Sequence, residues 1–443
     1  MQKQPAIGKK GEKCQGLKPR WIGTIFGKVR YWRSYIYRGQ SKGGYYPLDI
    51  ALGLPCDGFS MLVRSYAARL ATQMSYAQCV VIMKLFFHWS PCQKSIEEMV
   101  LGLGRHTAEW FELAPAPDND GDVLIIQIDS KAAPTATEQE LEKRRGPRSD
   151  NNHPDSARHR GKDARKRRGS KKRKKKGDKS KNGKMATIVV IYSLRRSEDG
   201  LLIGPINKKV YASYAPKRHA VAIARREADK RGFTDQSGKL IQIVTDGDND
   251  LERYIKQIFP KAIHTIDVYH AVEYIWKAAG ALFKEGSDEI AQWAEEQKQL
   301  LYAGRVSEIV EELEKQLSRF PKEDPSMENR RKKLEATIQY FSKRIDKMDY
   351  KMLREQDLEI SSGAVEGAVN YVIAKRFDSG GMRWIKERAE ALLQLRCIEV
   401  NSDWDAFISY VHDKTSRQAQ QSNENSFLKS TETIPLPTYG IYA

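Results

Sequence analysis

Three acidic residues of the sequence occupy positions that suit metal-dependent chemistry. Asp129 closes the apolar run DVLIIQID, Asp246 closes a second run, IQIVTD, and Glu366 stands in the first turns of a later helix. Apolar runs of this length are typical of buried strands. Glu366 lies beside Val365, on the rim of the apolar stripe of its helix, and can reach the edge of a sheet from there. Three carboxylates that converge on oxygen-ligated ions would form a two-metal phosphoryl-transfer site for Mg²⁺ or Mn²⁺ rather than zinc.

The elements that must position these acids predict a mixed α/β chain. Further strands are predicted at MATIVVIYSL, KKVYASYA and AIHTID, and a helix from Lys217 to Arg231. Residues 270–355 contain almost only helix, and a heptad seam from Leu334 to Met352 predicts one last helix there. An antiparallel helical insertion is the simplest interpretation. Spacing alone is a weak signal for a catalytic site, because any long chain offers Asp residues at strand ends.

The first 58 residues are basic and aromatic. The run RWIGTIFGKVRYWRSYIYRG predicts short β strands in which aromatic residues alternate with arginines. Such interleaving can place nucleic-acid bases on rings and phosphates on guanidinium groups. A small hairpin that packs its own aromatic residues is an equally good interpretation.

Residues 59–115 follow, with three short helices predicted in their first part. The second helix is predicted to bury Val80, Val81 and Leu85, and the third to begin at Pro91, after a serine N-cap. Three small helices in this arrangement suit a helix-turn-helix DNA-binding domain. Periodicity alone does not separate such a domain from a plain helical bundle.

Charge is concentrated in one tract of the chain. The 443 residues carry a formal charge of +19, from 76 Lys and Arg against 57 Asp and Glu. Between Lys143 and Lys184 there are 20 basic and 4 acidic residues, a net of +16, so the other 401 residues carry only +3. We predict a disordered loop that binds DNA phosphates without reading sequence. The candidate phosphate contacts in its densest part are Arg165, Lys166, Arg167, Arg168, Lys171, Lys172, Arg173 and Lys174.

Cysteine usage and hydropathy argue against several classes of protein. Five cysteines are scattered without a C-x-x-C pair, which argues against a disulfide scaffold and against a zinc ribbon. Neither a membrane span nor a signal peptide is recognisable in the sequence, so no membrane partner is expected. The expectation is a soluble, intracellular protein that binds polyanions.

Short motifs surround the candidate acids in a fixed order. They are IDS at Asp129, VTDGDNDL at Asp246, IDVYHAVEYI at Asp267 and ISSGAVEGAVNYVIAKRF at Glu366, followed by SGGMRW and ALLQLR. This series resembles the DDE insertion-sequence transposases of the ISKra group and, more distantly, the Mutator-like transposases. The resemblance covers roughly residues 45–412.

The resemblance implies an RNase H-like fold that is interrupted by a helical insertion before the last acid. It implies that Asp129, Asp246 and Glu366 bind two Mg²⁺ ions, for which Mn²⁺ can substitute, and that Asp267 with His270 is an auxiliary pair. The implied activity is cleavage of DNA at the ends of an insertion sequence and strand transfer to target DNA. The implied partners are these DNAs and a second copy of the chain, because two ends must be handled together. The implied location is the cytoplasm, at the nucleoid.

The segment around SGGMRW supplies further candidate DNA contacts. Lys375 and Arg376 are predicted to project from the helix that carries Glu366, and Arg383 and Trp384 to lie close to it. A cation and an aromatic ring there can hold an unpaired base. The alternative is that Trp384 packs under the C-terminal helix.

Three departures from the family pattern leave other functions open. Ser130 and Lys131 follow the first acid where a glycine is usual, and Tyr31 to Tyr45 contains no cysteine for a zinc site. The basic tract is also unusually long for the fold. The alternatives are a catalytically inactive, transposase-derived DNA-binding protein and a structure-specific DNA nuclease.

Composition, periodicity and resemblance together predict how the chain is divided. The predicted parts are a basic aromatic segment (1–58), a helix-turn-helix-like domain (59–115), an RNase H-like catalytic domain (122–269 and 356–412), a basic disordered loop within it (143–184), a helical insertion (270–355) and a C-terminal tail (413–443).

Overall fold

The computed structural model describes residues 12–39, 43–54, 58–140, 183–321, 324–379 and 382–422. These residues belong to two compact units. The first draws on Met1–Ala114, Ala132–Met185 and Val372–Ala443, and the second on Pro115–Lys131 and Ala186–Tyr371. None of the described helices has the length and apolar character that crossing a membrane requires. Most of the basic tract and most of the tail predicted at 413–443 lie outside the described residues.

The described residues form eight strands in two sheets. The strands are β1 (Lys13–Thr24), β2 (Gly27–Tyr37), β3 (Gly44–Tyr45), β4 (Val123–Pro134), β5 (Gly183–Arg196), β6 (Leu202–Ser213), β7 (Leu240–Thr245) and β8 (Ile263–Ile266). β1–β3 form a three-stranded sheet, and the others form a five-stranded sheet in the order β6-β5-β4-β7-β8. The strands predicted at the N-terminus and from MATIVVIYSL, KKVYASYA and AIHTID are confirmed.

The helices account for most of the remaining described residues. They are α1 (Pro47–Ala51), α2 (Met61–Gln73), α3 (Tyr76–Phe87), α4 (Gln93–Gly104), α5 (Thr107–Leu113), α6 (Lys217–Lys230), α7 (Asn249–Ile258), α8 (Val268–Leu282), α9 (Asp288–Tyr302), α10 (Val306–Ser318), α11 (Glu328–Ser342), α12 (Tyr350–Glu355), α13 (Gly363–Ala368), α14 (Lys375–Phe377), α15 (Lys386–Val400) and α16 (Trp404–Ser422). A 3-10 turn at Ile345–Lys347 follows α11, and a π-helical turn at Val369–Ala374 joins α13 to α14.

The five-stranded sheet is mixed, and the fold is a mixed α/β fold as predicted. β5 and β6 are antiparallel, whereas β4, β7 and β8 run parallel to one another. The central strands bury nearly all their apolar side chains, including those of Ile125, Ile126 and Ile243. Branched side chains pack well on a pleated surface, which explains why these runs form strands. The parallel strands bring their carboxyl ends to one edge of the sheet.

β4 continues beyond the point at which the sequence predicts its end. Asp129 does not close the strand, which runs on to Pro134. The extension has partners for its backbone, since the Trp384 N–H donates to the Pro134 carbonyl (3.2 Å) and the Ala136 N–H to the Trp384 carbonyl (2.9 Å). Backbone hydrogen bonds rather than apolar side chains sustain these last residues, and the apolar run therefore underestimates the strand.

The region predicted as a helical insertion contains α8–α12. The prediction of one helix that continues to Met352 is wrong, because α11 ends at Ser342 and a 3-10 turn follows. Arg344, between the two, is buried and donates hydrogen bonds to the carbonyls of Tyr340 (3.1 Å) and Gly247 (2.7 Å). A heptad pattern of apolar residues does not register a buried polar anchor of this kind.

α2, α3 and α4 confirm the three short helices predicted after residue 59. The burial predicted for Val81 and Leu85 is wrong: both are exposed, and α3 buries Cys79 and Met83 instead. α3 is apolar around most of its circumference, so the periodicity of its sequence does not select the buried face.

The predicted start of the third of these helices is slightly early. α4 begins at Gln93 with Cys92 as its N-cap, two residues after Pro91. One face of α4 is buried, with Ile96 and Leu103 almost fully covered. Helix ends fray and are the least certain part of any prediction from pattern.

Candidate active site

Three aspartates share one level at the carboxyl edge of the parallel strands. Ile128 of β4 is paired with Thr245 of β7, and Thr245 is paired with Ile266 of β8. The residues that follow these three in the chain are Asp129, Asp246 and Asp267. Because neighbouring strands lie about 4.8 Å apart, the backbones of these acids lie side by side. The sequence predicts each acid at the end of an apolar run but does not predict their common level.

Two buried glutamines of the central strands hold a later segment of the chain across one face of the sheet. The Gln242 side chain donates to the Glu359 carbonyl (2.7 Å) and accepts from the Glu359 N–H (3.0 Å). The Gln127 side chain donates to the Ser361 carbonyl (3.2 Å). Side chains two residues apart on a strand point to the same face, so this face continues from Gln127 to Asp129.

Glu366 is brought to the same face by the helix that follows this segment. α13 begins at Gly363, and the Val365 N–H donates to the second polar atom of Gln127, its Oε1 (3.0 Å). Glu366 therefore comes one residue after an anchored backbone, in the first turn of the helix, with its side chain exposed. This position agrees with the prediction that Glu366 stands in the first turns of a helix.

The turn that carries Asp246 is fixed by two residues. Asp248 caps α7 by accepting from two backbone N–H groups. Arg344 donates to the Gly247 carbonyl (2.7 Å) and to the Asn249 side chain (2.9 Å). Gly247 has a φ of +86°, and a Cβ there would lie 3.0 Å from Arg344 Nε. The turn therefore favours glycine both for its backbone conformation and for the close approach of Arg344.

α8 and α11 give this turn further support. The Tyr340 hydroxyl donates to the backbone carbonyl of Asp246 (3.3 Å). The Tyr340 ring stacks on that of Tyr274, with ring centroids 3.7 Å apart. These contacts hold the backbone of Asp246 and leave its carboxylate uninvolved.

Asp267 is fully buried, and its carboxylate is occupied by groups of the protein. Oδ1 accepts from the Tyr269 N–H (2.9 Å), and Oδ2 accepts from the Ser362 hydroxyl. His270 Nδ1 lies 3.4 Å from the same Oδ2. This contact with Asp267 is the main cause that raises the pKa of His270 above its ordinary value. Asp267 therefore orients His270 and favours its protonated form.

The acids influence one another electrostatically. Burial raises the pKa of Asp129, and the negative charges of Asp246 and Glu366 raise it further, although the Ser130 N–H partly offsets this. One ligand atom each of Asp267, His270 and Glu366 lies within 4.8 Å of the others. Glu366 thus belongs both to this group and to the surroundings of Asp129.

Among the described residues, the ligand atoms close enough to share one ion belong to Asp267, His270 and Glu366, and no such group of three includes Asp129 or Asp246. One carboxylate oxygen of Asp129 accepts a hydrogen bond from the Ser130 N–H, and one of Asp246 accepts from the Asp248 N–H. Across residues 58–140, 183–321 and 324–379, no hydrogen-bond donor is found for their second oxygens or for Glu366. Carboxylates that are close together and unneutralised favour a bound Mg²⁺ or Mn²⁺ ion. The metal-binding role of these three acids stays a prediction.

The residues that hold the acids in place, Gln127, Gln242 and Arg344, are not among those predicted from the sequence. Gln127 and Gln242 each interrupt an apolar strand, and an amide inside such a run is a signal that was available in VLIIQI and LIQIVT. A buried amide needs partners, which points to chain crossing the sheet at that level. Arg344 carried no such signal, because it lies within an apparently regular helical pattern.

The candidate DNA contacts around SGGMRW belong to the first unit. Arg376 is only 2% exposed, and its Nε donates to the Ala71 carbonyl near the end of α2 (2.9 Å). The prediction that Arg376 projects from its helix is therefore wrong: it satisfies a carbonyl at a helix C-terminus. Lys375 is exposed, and Arg383 is partly exposed.

Trp384 packs against the same short helix. Its ring centroid lies 5.1 Å from that of Phe377, and the Arg376 guanidinium lies 4.7 Å from it. The backbone of Trp384 is also paired with the extension of β4 at Thr135. These contacts give Trp384 a packing role. The eight basic residues predicted as phosphate contacts from Arg165 to Lys174 lie outside the described residues.

Comparison with known proteins leaves the family open. No protein-family model and no curated protein matches the chain. Among solved structures, the Drosophila P element transposase strand transfer complex is similar over 81% of this chain and 96% of that chain, with 10% identity and a TM-score of 0.34. A TM-score of this size does not establish a common fold, and the function has to be inferred from the site.

Proposed function

We propose that this protein is a metal-dependent DNA transposase of the DDE type with an RNase H-like catalytic domain. The observation that carries the proposal is the row of acids one residue beyond the Ile128, Thr245 and Ile266 level, with Glu366 above the same face. The motif series around these acids, which resembles that of insertion-sequence transposases, supports the same function.

Asp129, Asp246 and Glu366 are proposed to hold the metal ions, because their carboxylates retain oxygens without protein donors. When bound, the ions supply an activated water or 3′-hydroxyl and stabilise the charge on the leaving oxygen. Asp267 is proposed as a positioning residue for His270, whose protonated imidazole can donate to a phosphate oxygen. The glutamine anchors keep Glu366 aligned with the aspartates, so that little reorganisation is needed when DNA binds.

DNA is the proposed substrate, in the form of element ends and target. Lys375, Arg383 and the basic tract from Arg165 to Lys174 are proposed to contact its phosphates, a non-specific term that weakens as salt rises. A homodimer is proposed because two element ends must be brought together for strand transfer.

The test uses the purified full chain with a duplex that carries the DNA flanking its own gene, in Mg²⁺ or Mn²⁺. We expect nicking or joining at the element ends that is lost in EDTA and in Asp246→Asn. Asp250→Asn is the matched control, because this exposed acid lies in the same segment and its carboxylate pairs with exposed Arg253. The control is expected to cleave like the original protein.

Three outcomes contradict the proposal. Cleavage that survives Asp246→Asn places the chemistry elsewhere. Salt-sensitive DNA binding without cleavage in either metal indicates a DNA-binding protein that has lost catalysis. Ser130 and Lys131, which depart from the family pattern after the first acid, are then the first residues to replace. Cutting of branched DNA without any joining indicates a structure-specific nuclease.

A further inference from the structure

The two faces of the N-terminal hairpin have different surroundings. On one face, Arg20 and Tyr31 are paired across the strands, and both bind Asp49 of α1 at 2.7 Å. Arg33 on the same face also forms an ion pair with Asp49. This face is partly buried and fixes the hairpin to α1, so its basic residues have a structural role.

The opposite face is exposed and carries two tryptophans around an arginine. Trp21 is paired with Arg30, and Trp32 follows two residues later on the same face. The tryptophans are 57% and 53% exposed, and the Arg30 guanidinium lies 5.8 Å from one ring centroid and 5.0 Å from the other. We call Trp21, Arg30 and Trp32 the aromatic face. Large rings held open to solvent beside a cation are typical of binding surfaces.

The charge around the aromatic face has one sign. Residues 13–38 contain no acid, and their basic residues are Lys13, Lys18, Arg20, Lys28, Arg30, Arg33 and Arg38. Three of these form ion pairs with two acids outside the strands, Arg20 and Arg33 with Asp49 and Arg38 with Glu12. The exposed remainder is Lys13, Lys18, Lys28 and Arg30. A cationic rim of this kind matches a polyanion and disfavours an apolar protein partner.

We infer that the aromatic face binds single-stranded nucleic acid, with bases stacked on Trp21 and Trp32 and phosphates on the exposed basic residues. The bases of a duplex are already stacked on one another and present only their edges, whereas unpaired bases offer a free ring face. Stacking of this kind tolerates any sequence, because every base has such a face. The inference goes beyond the proposed function, since binding here requires neither a metal ion nor cleavage.

The test measures anisotropy of a labelled oligothymidine of about 16 nucleotides, a length that one such surface can accommodate, with the full chain in EDTA. The double variant Trp21→Leu/Trp32→Leu keeps apolar side chains but loses the rings. We expect its Kd for the single strand to rise roughly tenfold or more, while Kd for a duplex of equal length changes less than about twofold. Trp21→Phe/Trp32→Phe is expected to retain most of the single-strand affinity.

The matched control is Trp276→Leu, at a tryptophan of α8 that is 45% exposed. It is expected to bind both DNAs like the original chain. An unchanged single-strand Kd in the double leucine variant overturns the inference, and so does an equal loss on single strand and duplex. Thermal unfolding of each variant shows whether the hairpin is intact. Because EDTA prevents cleavage, these outcomes are independent of whether the proposed transposase activity is found.

Discussion

The acidic edge of the five-stranded sheet and the N-terminal hairpin carry opposite excesses of charge. At the sheet edge, burial raises the pKa of Asp129, and the charges of Asp246 and Glu366 raise it further. At the hairpin, a single acid, Asp49, binds Arg20 and Arg33 and leaves other cations exposed. In each region, some polar groups fix the geometry and others keep their charge without a partner of opposite sign.

The two regions also differ in the chemistry of their anchors. The sheet edge is held by neutral amides, Gln127 and Gln242, together with Arg344, which donates to the Gly247 carbonyl and whose own charge is paired with Glu252. The hairpin is held by the charged carboxylate of Asp49. A cationic anchor beside the acids would neutralise a metal site, and a carboxylate on the aromatic face would repel nucleic acid. In both regions the anchors leave unpaired the charges on which the proposed binding depends.

Removing one acid from the sheet edge is expected to have the largest effect. Glu366→Gln keeps the size of the side chain but removes a charged oxygen ligand, so metal-dependent cleavage is expected to fall about a thousandfold or more. The measurement is single-turnover cleavage of labelled element-end DNA. Glu355→Gln, at an exposed acid of α12, is the control and should leave the rate unchanged. Equal rates for both variants would contradict the role of Glu366.

Breaking the hairpin anchor is expected to act on stability instead of chemistry. Asp49→Asn leaves Arg20 and Arg33 half-buried without a counter-charge, which is expected to destabilise the hairpin by about 2 kcal/mol. Hydrogen exchange of the β1 and β2 amides measures this directly. Asp405→Asn, at a 95% exposed acid of the same unit, is the control. Unchanged exchange in the hairpin would show that Asp49 is not its anchor.

Replacing the neutral anchor Gln127 is expected to reduce both stability and cleavage. Gln127→Met is similar in size but removes the hydrogen bond to the Ser361 carbonyl and leaves the Val365 N–H with only the Ser362 carbonyl. It is expected to cost about 1–3 kcal/mol in the free energy of unfolding. Denaturant unfolding measures this cost, and cleavage is expected to fall as Glu366 loses its alignment. Gln292→Met, at an exposed position of α9, should change neither quantity.

The smallest expected effect is that of Asp129→Asn on thermal stability, which is expected to be positive without metal and negative with it. Its raised pKa means that the folded chain without metal binds the proton more tightly than the unfolded chain does, so stability falls as pH rises from the ordinary aspartate pKa through the raised one. Asp129→Asn removes this penalty and is expected to raise Tm by about 2 °C at pH 7 in EDTA. In saturating Mg²⁺ the order is expected to reverse, because only the original chain gains stability from the bound ion. An Asp129→Asn variant that is less stable than the original chain both in EDTA and in Mg²⁺ would show that the charged Asp129 carboxylate does not destabilise the fold.

Much of the fold was predictable where apolar runs and periodicity determine it. The strand that contains Asp129 and the strands that end just before Asp246 and Asp267 follow from buried branched residues, and the three short helices after residue 59 follow from 3.6-residue periodicity. What was not predictable depends on contacts between distant residues. Arg344 breaks a regular heptad helix because its partners lie about a hundred positions earlier, at Gly247 and Asn249.

The candidate site divides in the same way. The chemistry of its acids is visible in the sequence, whereas their common level depends on the register of three strands, which no local pattern records. The prediction for Arg376 is wrong for a similar reason. A basic residue at the end of a helix suggests a surface contact, but Arg376 is buried and donates to the Ala71 carbonyl of a distant helix.

The anchors of the acidic edge also set the order in which the site is completed during synthesis. The hydrogen bond from the Val365 N–H to Gln127 joins residues that are 238 positions apart in the chain. At a synthesis rate of roughly 5–20 residues per second, Gln127 leaves the ribosome about 12–48 seconds before its partner. Throughout that interval the chain already presents its basic N-terminal hairpin but has no assembled acidic site. The two proposals together imply that a nascent chain binds nucleic acid before it can cut it, and that a chain interrupted before Val365 binds without cutting.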